Sequence, residues 1–263
     1  MDGAMTDITM CGVSRLGYYL PRLGFGLAVL ALLLLALAPL GWRTGLWHFR
    51  TSFYFLMQPS AYFGIAGGIV WLVALLWWGE AGAAGRAMTV AGIVVGAVMF
   101  YVPWSYYRTL HQVPRIHDIT TDTTNPPSFS PAILRAREAE RGNTTAYDPK
   151  VGLLQKEGYP DIAPVRTTLP PDKAFERALI AAESMSGWRI VTEDPAQGII
   201  DASQSSMFFG FTDDVAIRVT ADGVGSRIDV RSESRQGVSD FGVNAKRVRA
   251  YMEALAQTLQ PSP

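Results

Sequence analysis

Apolar positions crowd the first third of the chain and then thin into short periodic runs. Residues 23–42, 61–79 and 87–107 carry no charged residue, and each is close to the roughly 20 residues that cross a bilayer as a helix. The second run ends in Trp77 and Trp78, and the third in Trp104, Tyr106 and Tyr107, matching aromatic side chains at headgroup depth. With no ionisable residue inside any run, the pattern predicts a plain three-helix anchor over 1–108 rather than a transporter or proton relay. Gly64, Gly67, Gly68, Gly92 and Gly96 predict close helix packing. Ala36 and Ala38 resemble a signal-peptide cleavage pattern, but the apolar run and its leader are both long, so the first span is read as uncleaved. Trp42 to Phe55 mixes Arg43, His48 and Arg50 with Trp47, Phe49, Phe53 and Tyr54, the pattern of a segment lying in the interface.

After residue 108 the pattern becomes that of a water-soluble sequence. Residues 109–164 read as an extended linker with one short helix near 132–141, because Thr120 to Thr124 and Asn125-Pro126-Pro127 favour turns and extended chain. From Val165 periodicity returns. Pro170, Pro171 and Asp172 start a helix whose Phe175, Ala178, Leu179, Ala182 and Met185 share a face until Gly187. Strands are predicted at 188–192, 198–203 and 215–220, and Asp222-Gly223 turns the chain into a fourth at 227–233 with one wet face. Val248, Tyr251, Met252, Leu255 and Leu259 mark a last amphipathic helix, with Ser239 or Asp240 as its cap. The order β-α-β-β-β-β-α over 165–263 predicts a two-layer α+β domain, an antiparallel sheet with two helices on one face.

Charge changes this picture little but removes whole classes of function. The chain has 23 basic and 23 acidic residues and a formal net charge of +0, so no electrostatic footprint for nucleic acid exists. Cys11 is the single cysteine, which leaves no internal disulfide and no cysteine-based metal cage. His111, His117, Asp118 and Asp122 lack ligand spacing, so no metal and no cofactor is expected.

The densest polar signal is Asp213, Asp214 and Arg218, then Asp229, Arg231, Ser234, Arg235, Asp240, Asn244 and Arg247. Arg218 falls opposite Asp229 in the predicted hairpin, which reads as a salt-bridged, solvated sheet face. The sharper reading is an arginine patch for a carboxylate or phosphate headgroup. Asp213 and Asp214, adjacent in a strand, point to opposite faces and cannot easily share a substrate atom. Met207, Phe208, Phe209 and Phe211 are either core at a strand end or side chains that touch a bilayer or an apolar ligand. The candidate ligand-binding residues are therefore Phe208, Phe209, Phe211, Arg218, Arg231, Arg235, Asp240 and Asn244, with no catalytic set.

Ile116-His117-Asp118-Ile119-Thr120-Thr121-Asp122 with Asn125-Pro126-Pro127, Phe209-Gly210-Phe211 with Asp213-Asp214, and Asp229-Val230-Arg231-Ser232 with Ser234-Arg235, Gly237, Asp240, Gly242, Asn244 and Arg247 resemble the domain-of-unknown-function 1499 family from about residue 114 onward. The resemblance supplies no activity. It implies a bacterial envelope protein with a periplasmic C-terminal domain and a cytoplasmic N terminus, anchored in the inner membrane by three spans in place of the lipid of lipoprotein members. The element order, with Gly187-Trp188 and Gly198-Ile199-Ile200, is also similar to the helix-grip domains of a lipoprotein of the outer-membrane barrel assembly machine. The expected role is non-enzymatic binding of a lipid, an envelope component or a membrane protein partner. The alternatives are a hydrolase or transferase on an anionic envelope substrate, with Asp213 or Asp240 as base and Arg218, Arg231 or Arg235 as clamp, and an assembly scaffold. Flanking charge does not set orientation, since Arg15, Arg22 and Arg86 on one side face Arg43, Arg50, Arg108 and Arg115 on the other.

Overall fold

The computed structural model describes residues 3–260 and divides the chain into two compact units, Met1–Arg108 and Thr109–Pro263. The first unit holds α1 (Gly3–Arg43), α2 (Phe49–Thr51), a π-helical stretch Ser52–Met57, α3 (Gln58–Ala74) and α4 (Gly82–Leu110). Three helical segments, Arg15–Arg43, Phe49–Trp77 and Gly82–Leu110, are long and apolar enough to cross a membrane. Their packing centres on Trp71, 1% exposed. Its indole nitrogen donates to the Pro21 carbonyl at 3.1 Å, and its ring occupies the space that a Cβ on Gly24 or Gly92 would need. The expected close approach thus holds at these glycines and at Gly68 and Gly96, whose backbones touch. Buried hydroxyls bond carbonyls of α1, Ser60 to Ala31 at 2.7 Å and Ser52 to Ala38 at 2.6 Å, so both are satisfied where water is absent.

The stretch around Trp42–Phe55, expected to lie in the interface, is already helical from Phe49 and is pinned to α1 through Ser52, which also accepts from Trp47 at 2.9 Å. Phe49, Phe53, Tyr54 and Phe55 belong to the start of the second apolar segment, Trp42 to the end of α1, and Trp47 to the connection between them. The side chain of Cys11 falls outside the described ones.

The second unit contains β1 (Asp118–Thr120), α5 (Pro131–Ala139), α6 (Pro149–Gly158), β2 (Val165–Thr167), α7 (Pro171–Ser184), β3 (Trp188–Asp194), β4 (Ile199–Ser205), β5 (Thr212–Asp222), β6 (Gly225–Ser234) and α8 (Val243–Leu259). The sheet runs β1-β6-β5-β4-β3, with β2 also on β6, and every pairing is antiparallel. From Val165 the order is the expected β-α-β-β-β-β-α, a helix-grip-like arrangement. Val215, Ile217, Val219, Ile228, Val230, Ile200 and Ala202 share one face and bury against Ala174, Phe175, Ala178 and Ala182 of α7 and Val248, Tyr251 and Leu255 of α8. Each large aliphatic side chain buried there contributes about 1.5–3 kcal/mol. Tyr251 stacks on Trp188 with ring centroids 5.6 Å apart and donates its hydroxyl to the Ala178 carbonyl at 3.2 Å. The hairpin turns at Gly223 and Val224, one residue later than the expected Asp222-Gly223, because Asp222 is still paired with Gly225; Gly223 takes φ +62°, and Arg218 pairs opposite Asp229.

Two features depart from the sequence reading. Residues 109–164, expected as an extended linker with one short helix, carry a strand and two helices: β1 joins the edge of β6, and the buried Gln155 of α6 clamps Thr120, accepting from its amide at 2.9 Å and donating to its carbonyl at 2.6 Å. The second sheet face is salt-bridged as expected but is not solvated. Residues 121–147 lie across it as a strap, where Phe129 and Ile133 pack on Ala216 and Arg137 is buried among carboxylates.

Candidate functional site

Strand alternation sends Asp214, Arg218, Asp229, Arg231 and Glu233 to the strapped face. Arg137, one helical turn after Ile133 on α5, reaches down from the strap to Asp214 at 2.9 Å and Glu233 at 2.7 Å. Arg231 grips Asp118 through Nε at 2.9 Å and Nη2 at 2.8 Å, and Glu233 at 3.1 Å. Its guanidinium lies 5.0 Å from the Phe129 ring and 5.6 Å from the Tyr147 ring. Arg235 holds Asp214 in a fork at 2.8 and 2.7 Å and Glu140 at 2.6 Å. Nearer the hairpin turn, Arg218 and Arg227 share Asp229 and Asp122.

Arg231 and Arg235 make bidentate pairs with the fold's own carboxylates, whereas Arg218 bonds Asp229 and Asp122 through Nη2 alone and keeps a buried Nε without a hydrogen-bond partner. Burial pushes the Glu233 carboxyl up, to about 8, against the opposing pull of Arg137 and Arg231. Asp201, buried below the start of α5, is also pushed up by burial; one oxygen accepts from the Ser130 amide at 2.8 Å and the other has no hydrogen-bond partner.

Asp240 and Asn244 sit elsewhere, at the start of α8 on the helix-covered face. The N-cap of α8 is Gly242 rather than the expected Ser239 or Asp240; Asp240, two residues earlier, still accepts from the amides of Gly242 at 2.8 Å and Asn244 at 2.7 Å, satisfying one amide of the first turn. Asn244 accepts from Ser232 at 2.8 Å and donates to the His117 carbonyl at 2.9 Å. Arg247 joins Asp213 at 2.6 Å, Gln204 at 2.7 Å and Ser232 at 3.0 Å, and also contacts Asn244. Burial pushes the His117 imidazole down. Asp213 pairs opposite Ser234 and Asp214 opposite Glu233, so the sheet stands between Asp213 with Asp240 on one face and Arg218, Arg231 and Arg235 on the other. The base and clamp of the hydrolase alternative do not converge on one substrate atom.

The aromatic cluster lies at a third place, the β4–β5 loop. That loop is fixed: Ser206 N–H donates to the Phe211 carbonyl and Gly210 N–H to the Ser206 carbonyl, each at 2.8 Å, with Gly210 at φ +72°. Phe209, 7% exposed, stacks on Phe211 at 5.0 Å and forms the loop's base. Phe208 meets its edge at 5.3 Å yet is 51% exposed, and Met207 is 93% exposed. The β6–α8 loop is the neighbour at this end of the sheet, with Val238 69% exposed. The chain also enters the unit here, since Asp240 N–H donates to the Ile116 carbonyl at 3.1 Å and Ser234 N–H to the His117 carbonyl at 3.0 Å.

Sequence reasoning gathered these residues into one candidate site; the structure distributes them over two sheet faces and a loop. It missed Arg137, Asp118 and Glu233 as members of the charged network. The available signal was the spacing of Ile133 and Arg137, which puts both on one face of a short helix.

Comparison with known proteins follows the same division. The profile of the family described as "Protein of unknown function (DUF1499)" matches residues 118–255. A comparison with curated proteins finds no match. Among solved structures, Ara h 8.0201 is similar at 16% identity over 36% of this chain and 94% of that one, with a TM-score of 0.29. CalU16 from Micromonospora echinospora is similar at 14% identity over 37% and 74%, with a TM-score of 0.27. Protein CV1439 from Chromobacterium violaceum is similar at 10% identity over 38% and 99%, with a TM-score of 0.23.

Proposed function

The chain belongs to the DUF1499 family, and on that premise we propose that it is a membrane-anchored, non-enzymatic protein of a bacterial cell envelope whose C-terminal unit, on the periplasmic side of the inner membrane, recognises lipid through the β4–β5 loop. The observation that carries this reading is the exposure of Met207 at 93% and Phe208 at 51% on a loop whose backbone is hydrogen-bonded into one shape. A fixed loop presents apolar surface at low entropic cost, and exposed apolar tips fit membrane or apolar-ligand contact. The same chain supplies three bilayer-length helices, so lipid is always at hand.

The test labels the loop of the full-length protein. In a Cys11→Ser background, Met207→Cys carries an environment-sensitive fluorophore, and the protein is placed in phospholipid vesicles. Quenching by spin-labelled lipid with protection from aqueous iodide is expected. Phe208→Ser should lower the lipid quenching several-fold with the thermal transition unchanged, whereas Phe209→Ser, which removes the stacked base of the loop, should cost about 3–5 kcal/mol of stability. A label quenched by iodide and untouched by spin-labelled lipid overturns the reading.

A further inference from the structure

Four cations stand at the loop end of the second unit without an ion-pair partner among the described residues. Arg115 immediately precedes Ile116, whose carbonyl binds Asp240. Arg141 lies between Glu140, whose carbonyl accepts from Gln236 at 3.1 Å, and Asn143, whose amide donates to the Arg235 carbonyl at 2.7 Å. Arg189 pairs opposite Ser203, two residues before the end of β4. Lys246 lies in the first turn of α8, its amide on the Gly242 carbonyl at 3.1 Å. All four side chains are exposed. Three nearby carboxylates are already engaged, Glu140 by Arg235, Asp213 by Arg247 and Asp240 by two backbone amides, while Glu138, whose carbonyl accepts from the Arg141 amide at 3.0 Å, is exposed. Glu183 and Glu157 are exposed on the adjoining helix ends, the latter beside the exposed Lys156. The end therefore presents an apolar centre, Met207, Phe208 and Val238, within a border of net positive charge, although the whole chain is neutral.

We propose that this end docks on the surface of the bilayer that anchors the chain and selects anionic phospholipid headgroups, with Met207 and Phe208 entering the acyl boundary and Arg115, Arg141, Arg189 and Lys246 meeting headgroup phosphates. The proposal rests on the lipid-recognition reading above and names its ligand class. Charge complementarity favours the bilayer as the occupant: an apolar wedge bordered by basic residues is the pattern of interfacial binding, and each basic residue close to an anionic surface changes the docked-to-undocked ratio about fivefold.

The experiment uses the full-length protein labelled at Met207→Cys, in vesicles of phosphatidylcholine alone and of phosphatidylcholine with phosphatidylglycerol. Lipid quenching of the label should rise with anionic lipid, the docked-to-undocked ratio should fall at least tenfold between about 0.05 and 0.5 M salt, and Arg115→Gln with Arg189→Gln and Lys246→Gln should lower it about a hundredfold while the thermal transition stays in place. Quenching that is equal in neutral and anionic vesicles and insensitive to salt overturns the headgroup selection and leaves lipid recognition standing. An absence of lipid quenching in every vesicle overturns both.

Discussion

At the residue scale the charged network asks which carboxyl bears the cost of burial. Asp214 is saturated by two guanidiniums and the Ser203 hydroxyl at 2.7 Å. Glu233 has Arg137 and Arg231 against it but also Asp118 and Asp214 close by, and burial raises it to about 8. A carboxyl with a folded pKa above its unfolded value contributes stability that is complete below the unfolded value, near 4.5, and is lost as pH rises through about 8. His117 acts with the opposite sign, because its lowered pKa makes the folded state lose stability as pH falls below 6.5. The two contributions oppose each other under acidic conditions, and above 6.5 that of His117 no longer changes. Glu233→Gln, which keeps the shape and removes the titration, is therefore expected to flatten the fall in melting temperature between pH 6.5 and 8. A wild-type slope that survives the substitution would assign the titration to another group.

The strap is held at the element scale by one side chain more than by any apolar contact. Arg137 spans from α5 to Asp214 and Glu233 and is itself buried; removing one member of a buried ion pair costs about 3–5 kcal/mol because the other charges stay behind unpaired. Arg137→Ala should lower the unit's stability by that amount and raise hydrogen exchange along residues 131–139 before the α7–α8 core opens, whereas the exposed Arg135 of the same helix can be replaced at little cost. Exchange that rises evenly over the whole unit would show that the strap is not a separable element. The same chemistry explains what was legible in the sequence. Helices α7 and α8 and strands β3 to β6 bury apolar side chains, so their periods of 3.6 and 2 appear directly in the sequence. The strap faces the sheet with Asp122, Ser130 and Arg137 beside only two large apolar side chains, Phe129 and Ile133, and an inner face so mixed leaves no continuous apolar stripe to detect. Likewise Asp240 as an acceptor for amides at the start of α8 was visible from its residue type, though the N-cap itself is Gly242, while the separation of Asp213 and Asp240 from the arginines needed the register of β5 and β6 to appear.

At the scale of the whole molecule, three segments of membrane length require that the two ends of the chain lie on opposite sides if all three cross. Flanking arginines favour neither arrangement, because Arg15, Arg22 and Arg86 are nearly balanced by Arg43, Arg50, Arg108 and Arg115, and the positive-inside rule acts through such differences. The proposed periplasmic site for the second unit therefore has a direct consequence. A C-terminal reporter active only in the periplasm should be active, and one fluorescent only in the cytosol should stay dark. Because the charge balance is close, two lysines added to the short connection around Gly79–Gly82 should strengthen that arrangement, whereas two added beside Leu46 should weaken it and let the cytosolic reporter appear. A cytosolic signal from the unaltered chain would place Met207 and Phe208 against the inner leaflet instead, and would remove the periplasmic part of the functional reading while leaving the lipid-facing loop to be judged by its own quenching.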